Sequence, residues 1–185
     1  MQKRLFIIHG WEATSKNDWF PWLTHKAGKN GFEVHNLDMP DTEHPILEKW
    51  LGHLKNSVGV PDEHTYLVGH SLGTLTSLRY AESLPEETRI GGIILVAGFT
   101  ESIGYPEINS FLEPPLDFEK VKRSVGRIVA IHSTDDPVVT AHHADILRDR
   151  LGAELLIISN AGHFNGDDGF YQFPLVLQKL IDISS

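Results

Sequence analysis

Gly69-His70-Ser71-Leu72-Gly73 sets one serine between two glycines at G-x-S-x-G spacing. A serine hydroxyl is a weak nucleophile at its own pKa. It becomes useful for acyl transfer when a base stands beside it and a sharp turn pushes its oxygen clear of the backbone. The five-residue pattern recurs by chance, so its setting matters more than the match. The β-branched and aromatic run Thr65-Tyr66-Leu67-Val68 comes directly before it, and a helix-forming run from Leu72 to Tyr80 directly after. Gly69 and Gly73 leave room for strand and helix to close on each other. The helix beginning at Leu72 points its positive end at Ser71. The plainer reading is a serine N-cap in a tight turn; the strand–turn–helix context favours a nucleophile.

Eleven histidines compete to be the base. His163, in Asn160-Ala161-Gly162-His163-Phe164, falls between the last predicted strand and the last helix, where a parallel sheet places its chemistry. His142 and His143 sit early in a helix, with no third metal ligand nearby. His25, His35, His44, His53 and His64 carry no motif. His9 and His70 flank the expected site as packing groups or as supports for the residues that react, and His132, ending the fifth strand, is a poorer candidate. A carboxylate must hold the imidazole in the right tautomer. Asp135 and Asp136 both follow the fifth strand, and either can serve. The order is serine, aspartate, histidine.

These groups need a rigid frame. Strand-like runs occur at 5–9, 32–37, 65–68, 92–97, 127–132 and 154–158. Helical spacing occurs at 18–29, 45–58, 72–84, 141–151 and 173–183. The rhythm predicts an α/β fold: a three-layer sandwich of about six mostly parallel strands, helices on both faces, in one domain over 1–185 with no large lid domain. The longest irregular stretch, 98–116, leaves the fourth strand at its carboxyl end. Its Phe99, Tyr105 and Phe111 are candidates for a pocket wall, and equally for ordinary core. Trp11 and Trp19 share that ambiguity.

With these residues in hand, the chain resembles the small serine hydrolases related to the retinoblastoma-binding protein nine family, within the α/β-hydrolase superfamily. The carriers are Met39-Pro40-Asp41, Gly69-His70-Ser71, Arg79-Tyr80-Ala81-Glu82, Ser133-Thr134-Asp135-Asp136-Pro137 and Gly162-His163-Phe164. The resemblance covers essentially the whole chain. It implies a nearly capless hydrolase core, a triad on Ser71, Asp136 and His163, and esterase-like or peptidase-like activity. Asp136-Pro137-Val138-Val139 is similar to the D-x-x-V acid loop of the superfamily, which selects Asp136 and leaves Asp135 to brace the turn. His9-Gly10-Trp11 resembles its oxyanion loop, so the Trp11 and Leu72 backbone N–H groups are the expected oxyanion donors. The namesake partner is bound through an L-x-C-x-E segment. This chain has no cysteine, so no partner of that kind is expected.

The absence of cysteine also excludes disulfides, thiolate nucleophiles and cysteine-ligated zinc. With 25 acidic against 16 basic residues the net charge is −9, and no Lys/Arg cluster offers a surface for nucleic acid or anionic membrane. The first apolar run is too short for a signal or membrane segment, so a cytoplasmic protein is the default expectation. The expected activity is hydrolysis of a small-molecule carboxylic ester through an acyl-enzyme, without cofactor or metal. A thioesterase, amidase or acyl transferase would use the same triad. The rival from another class is a non-catalytic binding module on a hydrolase scaffold, which would have no reason to keep the triad complete.

Overall fold

Period-two alternation along the strands divides the apolar residues between two layers. On β1 (Lys3–Ile8), Leu5 and Ile7 join one core while Phe6 and Ile8 join the other. The same split separates Ile94 and Val96 from Ile93 and Leu95 on β4 (Ile90–Val96). Strands buried on both sides need helices on both sides, and the chain provides them.

The structure, a computed structural model, describes residues 2–185. Its remaining strands are β2 (Phe32–Leu37), β3 (Thr65–His70), β5 (Val125–Ser133) and β6 (Glu154–Ile158). They form one sheet ordered β2-β1-β3-β4-β5-β6, and each neighbouring pair is parallel. Helix α1 (Phe20–Lys29), through Phe20, Leu23 and Ala27, and helix α6 (Pro174–Ile183), through Val176, Leu180 and Ile183, cover one face. Helices α2 (Leu47–Val58), α3 (Leu72–Glu82), α4 (Phe118–Ser124) and α5 (Ala141–Leu151) cover the other. Among the described residues no helix is long and apolar enough to cross a membrane.

The strand order reverses between β1 and β3. The chain leaves β1 for α1 on one face and leaves β3 for α3 on the other. The loops after these two strands therefore diverge and open a crevice above the sheet. That crevice receives residues 9–13 and Ser71.

Residues 98–116 are partly ordered as a 3-10 helix, Pro106–Phe111. Helix α4, absent from the expected elements, follows; the Asp117 side chain caps it by accepting the Lys120 N–H at 3.0 Å. The stretch is tied down by Arg79, buried on α3. Its Nε donates to the Phe111 carbonyl at 2.9 Å, a terminal nitrogen donates to the Pro114 carbonyl, and the other meets Glu82 at 2.8 Å. Glu82 in turn accepts the Asp117 N–H at 2.7 Å. A buried guanidinium needs such partners, since desolvating an unpaired charge is expensive.

Candidate active site

Ser71 stands between β3 and α3 with φ 51° and ψ −120°. A non-glycine residue in that region carries strain of order 1–3 kcal/mol, held by its surroundings. Those surroundings are backbone bonds: Ser71 N–H donates to Val96 O at 2.9 Å, and Ser71 O accepts from Thr74 N–H at 2.9 Å and Thr74 Oγ1 at 2.6 Å. Both flanking glycines are required by close approach. A Cβ on Gly69 would lie 2.5 Å from the Gly73 carbonyl oxygen, and one on Gly73 would collide with the Ile8 carbonyl oxygen. Helix α3 thus leans directly on β1.

Asp136 and His163 meet from neighbouring loops. His163 Nδ1 lies 2.9 and 3.0 Å from the two Asp136 carboxylate oxygens. Oδ1 also accepts the Val138 and Val139 N–H groups at 2.8 and 2.9 Å. Burial pushes the Asp136 carboxyl up, but the His163 hydrogen bond and these two donors outweigh it and hold the group below the usual carboxylate range. An ionised Asp136 accepts only, so His163 carries its proton on Nδ1 and leaves Nε2 free to take one. Asp135 does different work: its carboxylate takes the Ser133 hydroxyl at 2.6 Å and the Gly162 N–H at 3.0 Å, joining the acid loop to the histidine loop.

Two more histidines brace this site. His70 Nε2 donates to the His163 carbonyl at 2.7 Å, and burial pushes its pKa down to about 3. His9 donates from Nδ1 to Gly10 O at 2.7 Å and accepts the Met39 N–H on Nε2 at 2.9 Å, a pattern that only the neutral ring satisfies. Burial lowers its pKa. His9 thereby fixes the start of the loop carrying Gly10 and Trp11. Gly10 lies close enough that a Cβ there would sit 3.2 Å from Ser71 Cβ. Leu72, the first residue of α3, has an N–H outside the helix's own ladder.

Ser71, Leu72, Trp11 and His163 line one cavity of about 700 Å³. No Ser71–His163 hydrogen bond is formed among the described residues; in unliganded sites this contact is often long and tightens on binding. Of the expected wall, Phe99 and Tyr105 line the cavity. Tyr105 meets Trp11 edge-on, ring centroids 5.5 Å apart. Phe111 does not reach the cavity. It is fully buried against Trp50, because the Arg79 anchor draws residue 111 down onto α3. Trp19 is also core, its Nε1 donating to Phe164 O at 3.0 Å.

Sequence reasoning missed Ile103, Ile108 and Val138 on one side of the cavity, and Asp18, Asn165 and Tyr171 on another. It also missed Asp168, whose carboxylate accepts the His163 N–H at 2.7 Å. Apart from Ile108, in the 3-10 helix, these residues lie on loops. Only Val138 stood in a quoted motif. Among the described residues, no group of three His, Cys, Asp or Glu is arranged to hold a metal.

Comparison with known proteins shows the family and the fold. A family model described as serine hydrolase matches residues 5–182. The chain is 37% identical over 181 residues to YdeN of Bacillus subtilis (strain 168), named as a hydrolase, covering 97% of this chain and 95% of that protein. The crystal structure of the ydeN gene product from B. subtilis superposes with a TM-score of 0.91 at 36% identity, covering 98% of each chain. Serine hydrolase RBBP9 of Rattus norvegicus is 27% identical over 179 residues, covering 94% of this chain and 91% of that protein.

Proposed function

The chain belongs to the serine hydrolase family, and on that premise we propose that it cleaves small carboxylic esters through a covalent acyl-enzyme on Ser71. His163 is the base and Asp136 orients it. The observation that carries this reading is the Asp136–His163 pair, 2.9 Å apart, opening onto the same cavity as the strained Ser71.

Ser71 Oγ attacks the ester carbonyl while His163 Nε2 takes its proton. The imidazolium that forms is stabilised by Asp136, which stays ionised. Negative charge builds on the carbonyl oxygen, where the Leu72 and Trp11 N–H groups are the donors; one such donor is worth about 3 kcal/mol of barrier. Collapse breaks the acyl–oxygen bond, and the alcohol leaves with the proton from His163. Water then attacks the acyl-enzyme while His163 takes its proton; the acyl–Oγ bond breaks, the carboxylic acid leaves, and His163 returns the proton to Ser71 Oγ.

The test is labelling with a fluorophosphonate probe together with turnover of p-nitrophenyl acetate, in wild type and Ser71→Ala. Labelling and turnover that both vanish in Ser71→Ala establish the nucleophile. A folded wild type that neither labels nor turns over defeats the proposal and returns the chain to the binding-module reading.

A further inference from the structure

The cavity at Ser71 is chemically two-sided. One lobe is walled by Phe99, Ile103, Ile108 and Val138, with the Trp11–Tyr105 pair at its rim. The other is lined by Asn17, Asp18, Asn165, Asp167 and Tyr171. The two lobes come from different segments. The apolar wall is the Arg79-anchored crossover plus the acid loop. The polar wall is the loop that carries His163, folded back by Asp168 onto the His163 N–H and clasped to the 12–18 loop where Asp18 accepts the Gly166 N–H at 2.7 Å.

Which lobe takes which half of the ester follows from proton transfer. His163 must deliver its proton to the departing oxygen, so the leaving group lies along the segment that bears His163. That segment is polar. The acyl group, fixed by its bond to Ser71 Oγ, has the other lobe. We propose that the preferred substrates join a compact apolar acyl group to a polar, hydroxylated leaving group, and that esters of the opposite polarity are poor substrates. Asn, Asp and Tyr side chains together supply both donors and acceptors, which a hydroxylated leaving group satisfies and an alkyl one leaves unpaired. This inference rests on the ester-hydrolase reading above and deepens it.

Two isomeric esters separate the possibilities. In 2,3-dihydroxypropyl butanoate the acyl group is apolar and the leaving group carries two hydroxyls; in butyl 2,3-dihydroxypropanoate the halves are exchanged. Dividing each kcat/KM by the ester's hydroxide rate constant removes intrinsic reactivity. The first is expected to be favoured about tenfold or more, the scale on which a few methylenes and unpaired hydroxyl-binding groups discriminate. Ile103→Ser should reduce that preference by lowering the first ester's kcat/KM. Tyr171→Ala should reduce it by lowering the first ester's kcat/KM more than the second's. Tyr171 is exposed and Ile103 is half-buried against one core, so thermal melts accompany the kinetics of both variants. A ratio at or below one, in wild type that labels with fluorophosphonate and cleaves p-nitrophenyl acetate, overturns the inference and leaves the ester-hydrolase reading standing. Absence of labelling overturns that reading, and the inference with it.

Discussion

His70, one residue before Ser71, donates its ring N–H to the backbone carbonyl of His163, 93 residues further along the chain. The Ser71 turn and the His163 loop are thereby fastened to each other. Burial pushes its pKa down to about 3, so the ring is neutral and the bond is kept at neutral pH. Replacing His70 with Phe removes the donor and leaves the His163 carbonyl unpaired, a loss of about 1–3 kcal/mol. The expected result is a fall in kcat of roughly tenfold with KM little changed, and slower fluorophosphonate labelling to match. Labelling at the wild-type rate would show that His163 is held without this contact.

The two neighbouring aspartates should separate cleanly. Asp136→Asn removes the acceptor that fixes the His163 tautomer, and kcat should fall by about 10⁴ with the fold intact. Asp135→Asn instead weakens the Ser133 and Gly162 contacts between loops. It should lower stability by about 1–2 kcal/mol while the folded fraction stays within tenfold of wild-type activity. Urea unfolding and single-turnover kinetics on both variants check this. Equal losses of activity would mean that the assignment of acid and brace is wrong.

Acid should unfold the protein along a predictable slope. Burial holds His70 down to about 3 and His132 down to about 4, against 6.5 for a free imidazole. Below pH 6.5 the unfolded chain takes up protons at these positions that the folded chain refuses. Stability is therefore complete above about 6.5 and is lost as pH falls towards 4, by up to about 1.4 kcal/mol per pH unit for each such histidine. Asp136, whose carboxyl is held low in the fold, adds a loss of the same sign further down. His132 has neither ring nitrogen hydrogen-bonded among the described residues, so His132→Phe is a near-isosteric probe. Urea midpoints at pH 7, 6 and 5 should fall less steeply in the variant; parallel slopes would rule out His132 as a contributor.

Glycine substitutions test the elbow packing. Gly73→Ala drives a Cβ into the Ile8 carbonyl and should destabilise by 3 kcal/mol or more, or prevent soluble expression. Gly28, in α1 with nothing within 4 Å of an added Cβ, is the control. Gly28→Ala should raise stability by up to about 1 kcal/mol. Thermal melts of the two variants decide it.

The layers, the six strands and the Ser71 elbow were legible because each rests on local periodicity or on a turn with strict backbone demands. The loop carrying Asp135, Asp136 and Val138 could be found, but which aspartate faces His163 depends on a contact between loops that no spacing encodes. Phe99 and Phe111 looked alike in sequence. One lines the cavity and the other fills the core, and the difference is made by Arg79 on a distant helix. Asp18 and Asp168 were invisible for the same reason: their role is to accept a backbone N–H across a fold already formed.

The Arg79 anchor has a consequence for how such a protein can change. The crossover it grips contributes Phe99, Ile103, Tyr105 and Ile108 to the cavity but no member of the Ser71–His163–Asp136 set. Because Arg79 holds it through the carbonyls of Phe111 and Pro114, the grip does not depend on which side chains the crossover displays. Substitution of the exposed residues among 100–110 should therefore leave the Ser71, His163 and Asp136 contacts in place. Variation there would reshape one wall of the cavity while the anchor of the crossover stays in place.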